Sequence, residues 1–358
     1  MHKSKNKTYL LSGAFCMDAR FLSLSLIFAL AFSGSAASAQ SFPFQLSARS
    51  AILMDGDTSK VILSRSPHTK RLPASTTKLL TALVVLDRLS LDKTLTASAY
   101  AASMPRTNIS LRRGEKFYVR DLLRSLLIAS ANDAAVVLAE GAAGSERKFV
   151  RLMNAKAKQV GAKHSNFVNA HGLPNAHQVS TAYDMAMVMR AVNRSSFLME
   201  ILRTKYATIR SLRGRAVKLK NHNKMLWRDH RPLYGKTGWT RKSRHCFVGN
   251  IKYRGKNFYV VTMGGTKPWH DLRKILDYLF GYIPKNRVQR NNSILSKSYI
   301  KKMQNALKAR GYDPGPVDGI VGQKTLNAVM AFQKAHGLKP DGIVGSMTQK
   351  ELEAYMQG

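Results

Sequence analysis

Residues 72–86 read Leu-Pro-Ala-Ser-Thr-Thr-Lys-Leu-Leu-Thr-Ala-Leu-Val-Val-Leu. From Ser75 onward, Leu79, Leu80, Leu83, Val84, Leu86 and Leu89 recur at helical spacing. They predict a helix whose apolar face enters the core. Ser75 opens that helix, where backbone N–H groups are free, and Lys78 lies one turn on, on the same face. An unassisted serine hydroxyl is a poor nucleophile, but a neighbouring amine with a depressed pKa can take its proton. Alone, the pair reads equally well as an N-cap followed by a solvated lysine. The spacing S-x-x-K starts at Ser4, Ser75, Ser90, Ser145 and Ser298, so only context can single out one copy.

Two later motifs supply the context. Ser130-Ala131-Asn132 interrupts a helical region over 118–140 whose apolar positions are Leu122, Leu123, Leu126 and Leu127. A hydroxyl in such a break can pass a proton to a leaving amine, and the amide can orient substrate or the lysine. The plain alternative is a polar kink with local capping. Lys236-Thr237-Gly238 occurs once and begins a predicted strand. Lysine and a threonine hydroxyl can hold a carboxylate, and glycine lets the backbone approach it. The backbone N–H groups of Ser75 and Trp239 then form a natural oxyanion pair. Here the plain alternative is a turn entering a strand with a surface lysine. The three motifs in this order favour a real site for acyl-serine chemistry.

The elements around the motifs predict an α/β (α+β) domain. Residues 51–54 and 61–64 read as strands joined by Asp55-Gly56-Asp57, and residues 246–253 and 257–263 as strands joined by Arg254-Gly255-Lys256. Helical stretches at 145–160 and 182–193 lie between, and 270–280 closes the domain. Strands at both ends can pair in one antiparallel sheet flanked by helices. Near the C-terminus, Asp318-Gly319-Ile320-Val321-Gly322 recurs as Asp341-Gly342-Ile343-Val344-Gly345, each followed by a threonine, Thr325 and Thr348. With Leu326, Val329, Met330 and Phe332 as an apolar face, this predicts a small three-helix domain. The expected boundaries are 1–39 signal peptide, 40–285 catalytic domain, 286–297 linker and 298–358 C-terminal domain.

Lys3, Lys5, Lys7 and Arg20 precede an apolar run from Phe21 to Phe32, followed by Ala37-Ser38-Ala39. This is the pattern of a signal peptide cleaved after Ala39, with Met17 as an alternative start. The run is too short to span a bilayer. Export to the periplasm or cell wall is therefore expected. Cys16 leaves with the signal, so Cys246 is alone and reads as a small buried hydrophobe. No Cys/His cluster has metal-ligand spacing. The net charge is +38 over 358 residues. Removing residues 1–39 leaves +35, of which the C-terminal domain carries +3 (eight Lys/Arg against five Asp/Glu), so the catalytic region carries almost all of it. Such a field favours anionic partners, here wall polymer or peripheral contact with an anionic membrane surface. No nucleic-acid module is visible, so nucleic acid is not an expected partner.

Residues 45–285 resemble the serine D-alanyl-D-alanine carboxypeptidases, the low-molecular-mass penicillin-binding proteins. The resemblance rests on Leu72 to Leu79, on Asn169-Ala170-His171-Gly172-Leu173 with Ser180-Thr181-Ala182-Tyr183-Asp184, and on Asn221-His222-Asn223-Lys224-Met225-Leu226 before the K-T-G strand. It implies a penicillin-binding protein/serine β-lactamase-like fold and no metal or organic cofactor. Ser75 would be acylated by a peptidoglycan stem peptide with release of the terminal D-alanine. Lys78 would be the general base, Ser130 the proton relay and Asn132 its support. Lys236 and Thr237 would hold the terminal carboxylate beside Gly238 and Trp239, and β-lactams would be inhibitors. Residues 298–355 resemble the peptidoglycan-binding-domain type 1 module, through Gly311-Tyr312, Pro316-Val317-Asp318-Gly319, Phe332-Gln333 and Gly337-Leu338. Wall binding is thus expected in place of the membrane-anchoring helix that many family members carry. No arginine follows Gly264-Gly265 before Arg273, so an arginine aid to carboxylate binding has no position there.

Three rival functions share these residues. An endopeptidase cutting D-alanyl cross-links differs only in the leaving group. A β-lactamase would need a glutamate before an x-x-Leu-Asn run, and Glu200 is followed by Ile201-Leu202-Arg203-Thr204 instead. A non-catalytic wall-binding protein on an enzyme fold would not need an intact motif set.

Overall fold

The computed structural model describes residues 40–231, 233–281 and 291–356. The expected signal peptide lies outside the described residues, as do residues 286–290 of the expected linker.

Strands from the two ends of the catalytic region meet in one six-stranded sheet. Its members are β1 (Gln40–Ser41), β2 (Ser50–Asp55), β3 (Val61–Arg65), β8 (Leu233–Thr240), β9 (Arg244–Tyr253) and β10 (Lys256–Gly265). Their order across the sheet is β1-β3-β2-β10-β9-β8, antiparallel except for the short β1–β3 pair. The β2–β10 pairing, Met54 opposite Tyr259 and Ile52 opposite Val261, joins the ends of the region as the strand patterns predict. β2 is a continuous apolar run because both of its faces are covered. Ile52 and Met54 face the helical layer, whereas Ala51 and Leu53 face the opposite side. On that opposite side α9 (Pro268–Leu279) lays Leu272, Ile275 and Leu276 against Leu53, Phe247, Ile251 and Val260.

The helical layer is built around α1 (Lys78–Arg88), in which Leu79 to Val85 are all buried. A helix that is apolar on more than one face is stable only inside a core. The segments α3 (Val119–Ile128), α4 (Asn132–Ala143), α5 (Glu146–Gln159) and α6 (Ala182–Val192) surround it. Smaller elements complete the region. Helix α2 (Ala99–Ala102) lies in the chain between β4 (Thr94–Thr96) and β5 (Lys116–Tyr118), which pair as a two-stranded sheet. Helix α7 (Ser196–Arg203) leads into a hairpin of β6 (Tyr206–Arg210) and β7 (Ala216–Lys220), followed by the single turn α8 (Met225–Arg228). The hairpin is not among the strands predicted above, although its two five-residue strands alternate, with Ile209 and Leu219 buried and Tyr206, Thr208, Arg210, Ala216, Lys218 and Lys220 exposed.

The C-terminal residues have their own core. Helices Lys297–Ala309, Gln323–Ala335 and Ser346–Glu353 bring together Ile300, Met303, Leu307, Leu326, Val329, Phe332 and Leu352. The internal repeat is realised as two matching clasps. Gln304 accepts from Gly319 N–H and donates to Thr325 Oγ1, while Gln333 accepts from Gly342 N–H and donates to Thr348 Oγ1. The structure extends this module toward the N-terminus. Asn291 binds Gly342 O and Val344 N, Asn292 binds Val321, and Leu295 is in the core, so residues 291–297 belong to the module and not to a linker.

Candidate active site

The nucleophile segment is not simply the start of α1. Residues Ala74–Thr77 form a 3-10 turn, and the α-helix proper begins at Lys78. Ala74 holds a left-handed backbone (φ 49°), a conformation that costs energy for a residue with a Cβ. Two glycines let other chains press onto the turn. A Cβ on Gly238 of β8 would lie 2.9 Å from Ser75 N and 3.1 Å from Thr76 N. A Cβ on Gly172 would lie 2.0 Å from Ala74 O, and Gly172 also has φ +88°. The K-T-G sequence therefore sits in the middle of β8, not at its start, with the strand edge packed against the serine turn.

Lys78 Nζ is the hub. It lies 3.0 Å from Ser75 Oγ, 2.7 Å from Asn132 Oδ1 and 2.5 Å from the His171 carbonyl oxygen. The Asn132 amide is oriented by its Nδ2, which donates to Pro105 O at 2.9 Å. Two of the three neighbours of Lys78 are pure acceptors, and only Ser75 carries a proton to give. A neutral amine has two N–H donors and one lone pair, so the donors satisfy Asn132 and His171 and the lone pair faces Ser75 Oγ. Lys78 is fully buried, and burial first and the charge of Lys236 second hold its pKa well below the usual lysine range. The arrangement can abstract the Ser75 proton.

Ser130 and Lys236 form a second pair. Lys236 Nζ donates to Ser130 Oγ at 2.9 Å and to Thr237 O at 2.8 Å. Burial pushes the Lys236 pKa down to about 7. Ser130 occupies the break between α3 and α4 with φ 60°, a second left-handed non-glycine residue at the site. The break is buttressed by the segment 105–111. Thr107 Oγ1 donates to Ser130 O, Asn132 N–H donates to Thr107 O, and buried Asp133 accepts from the N–H groups of Ile109 and Leu111.

A cleft of about 260 Å³ joins these groups, lined by Ser75, Ser130, Thr237, Gly238 and Trp239 among others. All eight sequence-derived site residues thus converge, five of them lining the cleft and Lys78, Asn132 and Lys236 lying buried behind Ser75 and Ser130. Trp239 projects at the rim, 59% exposed. Sequence reasoning missed other cleft residues, namely Thr107, His222, His245, Pro268 and Trp269. It also missed the His171 carbonyl, which no side-chain pattern could reveal. His171 itself is buried and neutral. Leu173 N–H donates to its Nδ1, and burial first and Lys78 second lower its pKa to about 3. Cys246 is buried as expected, its thiol pKa pushed up to about 11 by burial.

Comparison with known proteins agrees with this geometry. Residues 35–267 match the D-alanyl-D-alanine carboxypeptidase family, and residues 296–352 match a peptidoglycan binding domain. The chain is 31% identical over 264 residues to D-alanyl-D-alanine carboxypeptidase DacF of Bacillus subtilis, covering 71% of this chain and 68% of that one. It is 36% identical over 237 residues to a D-alanyl-D-alanine endopeptidase of Pseudomonas aeruginosa, covering 64% and 74%. Among solved structures, a D-alanyl-D-alanine carboxypeptidase from Mycobacterium tuberculosis aligns with TM-score 0.63 at 30% identity, covering 69% of this chain and 96% of that one. A Streptomyces DD-transpeptidase aligns with TM-score 0.63 at 26% identity, covering 66% and 99%.

Proposed function

Because the chain belongs to the D-alanyl-D-alanine carboxypeptidase family, we propose that Ser75 is the acylated residue of a serine peptidase that trims peptidoglycan stem pentapeptides. The observation that carries this reading is the bridge from Lys78 Nζ to Ser75 Oγ, with both remaining amine contacts taken by pure acceptors.

In acylation, Ser75 Oγ attacks the carbonyl carbon of the penultimate D-alanine as its proton passes to Lys78 Nζ. The oxyanion is received by the backbone N–H groups of Ser75 and Trp239. Collapse breaks the C–N bond. Ser130 Oγ gives its proton to the leaving amine of D-alanine and is resupplied from the lysines behind it. Lys236 and Thr237 hold the carboxylate of the departing residue, and Asn132 keeps Lys78 aimed. Water then attacks the acyl ester and frees Ser75. β-Lactams acylate the same oxygen. The match to a peptidoglycan binding domain supports a second, non-covalent hold on the same polymer. The basic residues and apolar run within 1–39 support export, with wall polymer or an anionic membrane face as the partner of the positive surface.

The test is incubation of the parent enzyme and its Ser75→Ala variant with monomeric pentapeptide muropeptides, read by mass spectrometry. Loss of one alanine by the parent alone is the expected result. Product from the variant, or β-lactam labelling at full stoichiometry on it, would remove Ser75 from the role. Export is checked on the same preparation, since secreted protein should begin at Gln40. The relatives that carry an endopeptidase name favour a second reading, in which the leaving group is a cross-linked peptide.

A further inference from the structure

A second cavity, of about 470 Å³, opens beside the reaction cleft. The hairpin and the turn after it build it. Tyr206 and Lys220 come from the two paired ends of β6 and β7, and Lys224, Trp227 and Arg228 from the segment through α8. The two aromatic rings meet edge to face at 5.8 Å. They are among the exposed large hydrophobic residues, Tyr206 at 60% and Trp227 at 37%. Lys220 Nζ stands 5.9 Å from the centroid of the Tyr206 ring. None of Lys220, Lys224 and Arg228 takes part in an ion pair among the described residues. Three cations outside any ion pair, beside two exposed aromatic rings, suit a ligand with carboxylates on an otherwise apolar or amide frame.

Position narrows the ligand. His222 lines both cavities, so the two meet at this residue. His222 also lies close enough to Lys236 and Lys78 for their charges, after burial, to lower its pKa. The second cavity thus continues the cleft on the Lys236 side. In the reading above, that side receives the carboxylate of the residue that departs. A free D-alanine ends at that carboxylate. The leaving group of a cross-link is the amine end of a second stem peptide, which, where the cross-linking residue is a diamino diacid, carries that carboxylate and then continues with further amides and carboxylates.

We propose that the Tyr206–Trp227 cavity, with Lys220, Lys224 and Arg228, is a leaving-group subsite for the second, acidic stem peptide of a cross-linked substrate. This rests on the assignment of Lys236 to the departing carboxylate. It makes cross-link cleavage a built-in second activity of the same serine. The bonds formed and broken are those of acylation above, with the peptide amine in place of D-alanine as the group that leaves with the Ser130 proton.

The test compares two substrates on the full chain, monomeric pentapeptide and D-alanyl cross-linked dimer. The enzymes are the parent, Lys220→Ser/Arg228→Ser and Trp227→Ala, with the rate of β-lactam acylation as a measure of an intact serine site. In the variants, kcat/KM for the dimer is expected to fall about tenfold, the scale of one lost charge-assisted contact. The monomer rate and the acylation rate should stay at parent values, and added salt should narrow the difference in the parent. An unchanged dimer rate would overturn the proposal, as would an equal fall for both substrates with acylation intact. A parent enzyme that trims monomer but leaves dimer whole would overturn it too. Failure of the parent on both substrates would instead count against the carboxypeptidase reading itself.

Discussion

In the proposed mechanism two buried lysines carry the chemistry, and their charges must differ for it to work. Lys78 must be neutral to accept the Ser75 proton, and burial and Lys236 favour that form. Lys236 must be charged to receive a carboxylate, yet burial leaves its pKa only at about 7 in the free enzyme. The rate should therefore rise with pH as Lys78 loses its proton and fall as Lys236 loses its own. In kcat/KM, which reports the free enzyme, the falling limb is expected near pH 7. In kcat it should move to higher pH, because a bound carboxylate favours the ammonium form. Steady-state pH profiles with a soluble pentapeptide check this. Coincident falling limbs would separate Lys236 from the carboxylate.

Elements reach the site only because two glycines allow backbones to touch. The 3-10 turn carrying Ser75 is pinned between β8 at Gly238 and the loop at Gly172. Gly172 could not carry a Cβ without driving it to 2.0 Å from Ala74 O, and its φ of +88° is a second barrier. Since the His171 carbonyl that holds Lys78 is the preceding residue, any shift there reaches the base directly. Gly172→Ala is expected to lower the rate of β-lactam acylation by about a hundredfold, the usual scale for a misplacement near 1 Å. Stopped-flow labelling measures it, and an unaltered rate would show that the loop yields at no cost to the site. The hairpin β6–β7 is tied from its turn to the residue before β5 by the bidentate Arg215–Glu115 pair, at 2.5 and 2.6 Å.

On the scale of the whole molecule, a strongly basic catalytic region is followed by a module with its own core. The module includes Asn291, Asn292 and Leu295, so a deletion starting at residue 298 would remove two asparagine anchors' partners and leave Leu295 uncovered. Removing residues 291–358 should weaken co-sedimentation with insoluble peptidoglycan by about tenfold while sparing turnover of soluble pentapeptide, since tethering raises only local concentration. Unchanged sedimentation would make the basic catalytic region the main hold on the wall. Salt titration of the truncated protein then tests that directly, because charge attraction is screened.

The sequence by itself determined the three motifs, their order, the strands at both ends and the helices between, because each is a local pattern of spacing and polarity. It also carried the C-terminal repeat, whose turns recur with the same chemistry. What only the tertiary structure decided were contacts made by backbone and by distance. The His171 carbonyl at Lys78, the asparagine anchors at residues 291 and 292, and the placement of K-T-G in mid-strand follow from packing between segments far apart in the chain. The hairpin and its cationic cavity were not predicted either, since its alternation runs over only five residues per strand and the residues that meet across it are set by pairing and packing. The depressed lysine pKa values have the same origin, for burial is a property of the fold and not of the residue.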